Sequence, residues 1–211
     1  MDKFIKWSEV EVKQIRSAFK GGNAILSECD TVLGLFTLAT QDGFRKLNEI
    51  KDRKGKPYLM VISSPEEIKK FSHCNFDEHL QRLINYCWPG PLTLILKAKE
   101  DAPDYLKSTE GTIAIRVPKH EFLLNLLKAT GPLFSTSANI AGQPVPGSLK
   151  DVASSILDQA TVVIANDTDV GSSAVPSTIL DCSSPNKIIL IREGAYDVDT
   201  LERISGGKIL R

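Results

Sequence analysis

Two stretches of this 211-residue sequence group the side-chain types that polar chemistry needs. The first is Lys51-Asp52-Arg53-Lys54-Gly55-Lys56-Pro57. A guanidinium is a planar fork matched to carboxylate or phosphate, and an ammonium is a mobile point charge. Lys51 and Arg53, two apart on an extended stretch, can therefore clamp one polyanion from the same side. Between Arg45 and Lys56, six basic residues stand against Glu49 and Asp52, a local excess of four. A solvated basic loop is the commonplace alternative for such a run. The second stretch is Ser135-Thr136-Ser137-Ala138-Asn139, with Gly142 and Pro144 just beyond it. Three hydroxyls and an amide directly after a short strand supply small donors and acceptors at a strand end, where open α/β sheets hold ligands. A turn or a helix cap uses the same residue types.

Three shorter groups are weaker. Cys29-Asp30-Thr31-Val32-Leu33-Gly34-Leu35 reads as a strand breaking into a tight turn, with Thr31 placed to hydrogen-bond a small polar ligand. The 171–178 segment, with Pro176 and Ser177, is a polar loop entering a strand. Arg192-Glu193-Gly194 puts an arginine at a strand end, where a surface ion pair is the ordinary outcome. Several familiar devices are missing. The sequence has no G-x-x-x-x-G-K-[ST], no G-x-G-x-x-G and no G-x-S-x-G. A bound nucleotide is then not held by a P-loop or a Rossmann turn, and the serines lack a nucleophile elbow. His73, His79 and His120 form no H-E-x-x-H, and Cys29, Cys74, Cys87 and Cys182 form no C-x-x-C. Both absences argue against metalloprotease and structural-zinc chemistry, and four free thiols are expected.

The elements that must position these groups follow from hydrophobic spacing. A Ser8/Glu11 capping box with Val12, Ile15 and Phe19 predicts a first helix stopped by Gly21-Gly22. Further helices are expected over 40–50, from Ser64-Pro65, over 80–87, over 121–129, from Ser148 through Val152 and Ile156, and over 197–204. Strands are expected at 24–26, 58–62, 92–96, 112–117, 133–134, 161–164, 178–180 and 187–191. Seven or so strands alternating with about six helices predict a single α/β (α+β) domain over residues 1–211, built on a large mixed sheet. The composition, 42% apolar and 25% charged, is that of a globular chain. No apolar run of about 18 residues and no signal-peptide core occur, so a cytoplasmic location is expected. Twenty-six Lys plus Arg balance twenty-six Asp plus Glu. Zero net charge excludes a globally basic nucleic-acid binder and makes any anion site local.

Taken in order, seven motifs carry a family resemblance. They are Asp30-Thr31-Val32-x-Gly34-Leu35, Lys51-x-Arg53, Trp88-Pro89-Gly90-Pro91-x-Thr93, Ala114-x-Arg116-x-Pro118, Ser135-Thr136-Ser137-Ala138-Asn139, Pro176-Ser177-Thr178-Ile179 and Arg192-x-Gly194. Across nearly the whole chain they resemble the YrdC-type threonylcarbamoyl-adenylate synthase family. The resemblance implies a twisted open mixed sheet with flanking helices and a concave basic cavity. There L-threonine, bicarbonate and ATP give threonylcarbamoyl-AMP and pyrophosphate for the N6-threonylcarbamoyladenosine modification of tRNA. It implies catalytic and ATP-phosphate roles for Lys51 and Arg53, and ATP contacts from Thr112, Ser137, Asn139 and Arg192. It also implies a threonine subsite of Thr31, Arg116 and Ser177, with the carboxylate on the Arg116 fork. Mg²⁺ is expected to come with ATP, without a dedicated acidic cage, and no tightly bound organic cofactor is expected. Downstream threonylcarbamoyl-transferase proteins are the implied partners, tRNA contact is indirect or weak, and no membrane is involved. Glu28, Cys29 and Leu33 depart from the family's common Pro, Thr and Tyr. The additional C-terminal domain of longer relatives is not expected.

Two other readings stay open. One is a paralogue of the same fold acting on another carbamoyl or acyl substrate, which the altered 29–33 segment supports. The other is a non-catalytic RNA-binding module using the concave surface, against which zero net charge argues.

Overall fold

The computed structural model describes residues 3–6, 11–53, 57–73, 76–165 and 175–211. Ser8 of the expected capping box, Lys54 and Lys56 of the basic run, Cys74, and positions 171–174 of the polar loop lie outside the described residues. Among the described residues the strands are β1 (Phe4–Ile5), β2 (Ala24–Ser27), β3 (Gly34–Leu38), β4 (Leu59–Val61), β5 (Leu92–Lys97), β6 (Thr112–Arg116), β7 (Leu133–Ser137), β8 (Ala160–Ile164), β9 (Thr178–Asp181) and β10 (Ile189–Arg192). They form one ten-stranded sheet in the order β1-β8-β2-β3-β7-β4-β6-β5-β9-β10. The pairs β1/β8, β2/β8, β4/β6 and β5/β9 are parallel. The other pairs are antiparallel. The flanking helices are α1 (Val12–Ala18), α2 (Gln41–Lys51), α3 (Glu78–Cys87), α4 (Glu121–Thr130), α5 (Ser154–Gln159) and α6 (Val198–Ser205). This is the expected mixed α/β architecture.

The differences from expectation are local. β3 occupies a segment whose start reads in the sequence as a tight turn. Gly34 opens this strand because a Cβ there would strike the Phe36 ring at 2.7 Å. β1, with two residues, is too short to show a period. The helix expected from Ser148 is a 3-10 turn at Leu149–Asp151, closed by a Ser148/Asp151 capping box, followed by the separate α5. The helix expected from Ser64 is the 3-10 segment Pro65–Lys70.

Layering decides where a ligand can go. Alternate residues along a strand face opposite sides of the sheet. On one side Leu26, Met60, Leu94, Ile115 and Phe134 share a core with Leu47 of α2, Leu83 and Ile84 of α3, Ile156 of α5 and Leu201 of α6. On the other side Ile25, Phe36, Val61, Leu133 and Val162 pack with Ile15 of α1, Phe19 just after it, and Leu123 and Leu126 of α4. Register carries this second side along the sheet. Val61 pairs with Arg116, Ala114 with Ile95, and Thr93 with Ile179. Two helices do not span that width. Over β5, β6 and β9 the face is left open as a cavity lined by Thr93, Ile95, Ala114, Arg116 and Ile179.

Helix α2 approaches the sheet closely at Gly43, where a Cβ would lie 2.1 Å from the Leu38 carbonyl oxygen. Helix propensity alone makes Gly43→Ala stabilising by about 0.8–1 kcal/mol. Overpacking against β3 reverses the sign, and urea unfolding is expected to show a loss of about 1–3 kcal/mol. A variant as stable as the wild type would show that α2 backs away without cost.

Candidate functional site

Helix α2 ends at Lys51, and its capping residue Asp52 turns left-handed (φ 43°, ψ 47°). Arg53 then donates its backbone N–H to the Asn48 carbonyl oxygen at 3.2 Å. The two basic residues are therefore not on an extended stretch, as expected from sequence. The left-handed turn, rather than strand alternation, brings both to the border of one cavity of about 520 Å³ with Ser137, Asn139 and Gly142.

Lys51 organises the segment after β7. Its Nζ donates to the Ser137 carbonyl oxygen (2.9 Å), to Asn139 Oδ1 (2.9 Å) and to the Asn139 carbonyl oxygen. Ser137 Oγ donates to the same Oδ1 at 2.6 Å, and Asn139 Nδ2 donates to the Gln143 carbonyl oxygen at 2.5 Å. These acceptors are neutral. Burial first, and the neighbouring Arg53 second, push the Lys51 pKa down from 10.5 to about 8. The ammonium is still the main form at neutral pH. Arg53 lies over the Tyr58 ring, with Cζ 5.1 Å from the ring centre, which orients the guanidinium.

Arg53 and Ser137 also border a second cavity of about 780 Å³, lined by Thr31, Thr112, Arg116, Ser177 and Arg192. The nine residues singled out in the sequence thus stand around two adjoining cavities. Thr112 Oγ1 shares a 2.8 Å hydrogen bond with Ser108 Oγ. Arg192 donates from Nη2 (2.8 Å) and Nε (3.2 Å) to the Ser177 carbonyl oxygen. Gly194 permits that approach, since a Cβ there would lie 2.3 Å from the Pro176 carbonyl oxygen.

Arg116, expected to offer its fork to a carboxylate, already has three partners within the protein. It is 3% exposed. Nε donates to the Gly90 carbonyl oxygen at 3.0 Å, Nη1 to Thr31 Oγ1 at 2.9 Å, and Nη2 forms an ion pair with Asp30 Oδ1. A guanidinium buried without a counter-charge costs several kcal/mol, and Asp30 supplies that charge. Burial drives the Asp30 carboxyl up, but Arg116 and the neighbouring S–H and N–H donors hold it below the usual carboxylate range. The Cys29 thiol donates to Asp30 Oδ1 at 3.0 Å, and burial foremost pushes its pKa up to about 12. It is not a thiolate nucleophile at neutral pH. Asp30 stands in a quoted motif without a role; its burial beside Arg116 was the missing signal. Among the described residues, Lys51, Arg53 and Arg192 border the cavities without a carboxylate at ion-pair distance, so the uncompensated positive charge is theirs.

The altered segment also becomes interpretable. Leu33, where the family commonly has Tyr, is fully buried on the core side. Of the three departing positions, only Cys29 borders the cavity. A third cavity of about 690 Å³ adjoins across Pro57 and Ser108, but its Lys97 and Lys107 donate to the Glu110 and Glu100 carbonyl oxygens (3.0 Å each) and so staple the β5–β6 loop. Among the described residues no three of His, Cys, Asp and Glu gather as metal ligands, and no helix is long and apolar enough to cross a membrane. Cys29, Cys87 and Cys182 are free thiols.

Removing the Asp30 charge leaves Arg116 buried and unpaired. Asp30→Asn is expected to lower the unfolding free energy by about 3–5 kcal/mol in denaturant titration. A loss below about 1 kcal/mol, the range of solvated pairs, would show that Arg116 does not depend on Asp30.

The family model for the Sua5/YciO/YrdC domain, described as "telomere recombination", matches residues 17–194. A Methanocaldococcus jannaschii relative is 31% identical over 209 residues, which cover 95% of this chain and 96% of its own. The threonylcarbamoyl-AMP synthase of Pyrococcus abyssi is 29% identical over 204 residues, covering 93% of this chain and 58% of its own length. The crystal structure of P. abyssi Sua5 complexed with L-threonine superposes with a TM-score of 0.83 at 27% identity, over 99% of this chain and 62% of that one. With the family model matched over most of its length, the chain belongs to the Sua5/YciO/YrdC family.

Proposed function

We propose that the protein is a threonylcarbamoyl-AMP synthase, a nucleotidyltransferase that converts L-threonine, bicarbonate and ATP into threonylcarbamoyl-AMP and pyrophosphate. The observation that carries this reading is the adjacency of two cavities with different chemistry. One presents Lys51 and Arg53, the other Thr31, Arg116 and Ser177, and they share Arg53 and Ser137. Joining an amino-acid carbamate to a nucleotide needs an anion clamp and an amino-acid pocket side by side.

In this reaction the threonine nitrogen, as the free amine, bonds to the bicarbonate carbon with loss of water. A carbamate oxygen then attacks the α-phosphorus of ATP as the bond to pyrophosphate breaks. No protein nucleophile is needed. The protein's task is to position the reactants and offset charge on the departing pyrophosphate, which falls to Lys51 and Arg53. Thr112, Ser137, Asn139 and Arg192 contact the nucleotide. Thr31, Ser177 and the N–H groups that Arg116 does not spend on Asp30, Thr31 and Gly90 hold the amino acid. Mg²⁺ enters as part of the ATP substrate, with phosphate oxygens and water as ligands. The domain spans residues 1–211 and works in the cytoplasm, where free thiols persist. Threonylcarbamoyl-transferase proteins receive the product, and the balanced charge leaves tRNA binding to them. The paralogue reading weakens because Leu33 lies in the core.

Purified protein supplied with ATP, bicarbonate and L-threonine is expected to release pyrophosphate in proportion to threonine, with L-serine as the control. No threonine-dependent release would overturn the proposal. Arg53→Ala and Lys51→Ala are each expected to cut turnover at least about 100-fold, with Arg53→Ala melting like the wild type; wild-type rates in both would show the clamp misassigned. The pH profile is a further test. Only protonated Lys51 attracts phosphate, and its pKa is about 8. kcat/KM for ATP is therefore expected to fall as pH rises through about 8. A profile flat to about pH 9.5 would remove Lys51 from the clamp.

A further inference from the structure

Thr93, on β5, has no part in the function proposed above, yet it is among the most enclosed polar side chains lining the cavity, at 1% exposure. Its Oγ1 lies 2.8 Å from Ser177 Oγ, its one hydrogen-bond partner among the described residues. Arg192 Nη2 donates to the same Ser177 Oγ at 3.3 Å. A hydroxyl has one proton to give and two lone pairs to fill, whereas a guanidinium only gives. One lone pair of Ser177 is therefore taken by Arg192.

The direction of the Thr93–Ser177 bond follows from where each proton can go. If Ser177 donated to Thr93, the proton left without an acceptor among the described residues would belong to the more enclosed of the two hydroxyls (1% exposed against 4%), at a cost comparable to a lost buried hydrogen bond. If Thr93 donates instead, its proton is satisfied and both Ser177 lone pairs are filled. The Ser177 proton then points into the cavity, where water or a ligand accepts it.

We infer that Thr93 is a positioning residue that locks the Ser177 hydroxyl as a hydrogen-bond donor into the cavity, so that this end of the site selects a carboxylate oxygen of the amino-acid substrate over a group that must itself donate. The substrate's identity rests on the proposed function; the hydroxyl direction does not.

Thr93→Val keeps the side-chain shape and removes the proton. Its KM for L-threonine is expected to rise about 5- to 10-fold, the range of one neutral hydrogen bond, with kcat within about twofold, and Thr93→Ser is expected to restore it. L-Threoninol, which carries a CH₂OH in place of the carboxylate, is expected to inhibit wild type weakly. The preference for threonine over threoninol is expected to narrow in Thr93→Val, because the threoninol hydroxyl, a weaker acceptor than a carboxylate with a proton of its own to place, can donate to a Ser177 hydroxyl that turns freely. Unchanged KM and preference in an active Thr93→Val enzyme, or a loss confined to kcat, would overturn the inference while leaving the synthase activity standing. If wild type shows no threonine-dependent pyrophosphate, the functional proposal fails and thermal unfolding judges the hydroxyl direction alone. Ser177→Ala is then expected to destabilise more than Thr93→Val, since it strands the enclosed Thr93 proton, and adding Thr93→Val to it is expected to recover stability. Equal losses or the reverse order would overturn the inference.

Discussion

The buried guanidinium of Arg116 is the junction on which the candidate site depends. It ties the end of β6 to the Gly90 backbone and to the Asp30-Thr31 segment between β2 and β3. These pieces are far apart in sequence; the sheet and a Gly90–Val117 backbone hydrogen bond bring them near, and the guanidinium joins their side chains. Burying a charge is costly unless it is paired and its donors are satisfied, and Asp30, Thr31 and Gly90 meet both conditions. The consequence reaches the chemistry. Because Asp30 cancels the Arg116 charge, the uncompensated positive charge beside Ser177 comes from Arg192, and the rest lies at Lys51 and Arg53.

In the proposed reaction these charges face a phosphate chain at one end and the amino-acid carboxylate at the other. Lys51 is held by neutral acceptors, which orient the ammonium without neutralising it, and its pKa of about 8 shows how little the surroundings compensate the charge. In the proposed reaction a phosphate chain supplies the missing counter-charge. At the other end, Arg192 and Thr93 fill the acceptors of Ser177, so a group with no charge of its own acquires a direction. Both ends are organised before a ligand arrives, which reduces the ordering cost of binding.

The cavity itself is a consequence of unequal covering. One sheet face has helices along most of its width, while on the opposite face, among the described residues, α1 and α4 cover the β2, β3, β7 and β8 region as far as Val61 of β4. Period-2 alternation then makes half of the residues on β5, β6 and β9 core and the other half cavity wall. Thr112, Ala114 and Arg116 line the cavity, and Ile113 and Ile115 between them are buried. A helix over this region would erase the site without disturbing a single strand.

The sequence by itself determined much of this. Hydrophobic period placed α2, α3, α4, α6 and most strands, and the residue types at 31, 51, 53, 137, 139, 177 and 192 marked positions that border the two cavities, because donors and cations keep their chemistry wherever the chain goes; Thr112 and Arg116 were marked by the family resemblance alone. Period could not find β1, too short to carry one, or read β3, whose opening Gly34 looks like a stop. Sequence spacing also set Lys51 and Arg53 on one extended side, when a left-handed turn at Asp52 does that work. Only the tertiary structure decided which charges are free. Arg116 and Arg53 are alike as letters, but one is buried against Asp30 and the other lies over the Tyr58 ring at the border of both cavities. Pairing, burial and the direction of a hydroxyl proton depend on neighbours brought in from distant parts of the chain, and those neighbours exist only once the sheet has formed.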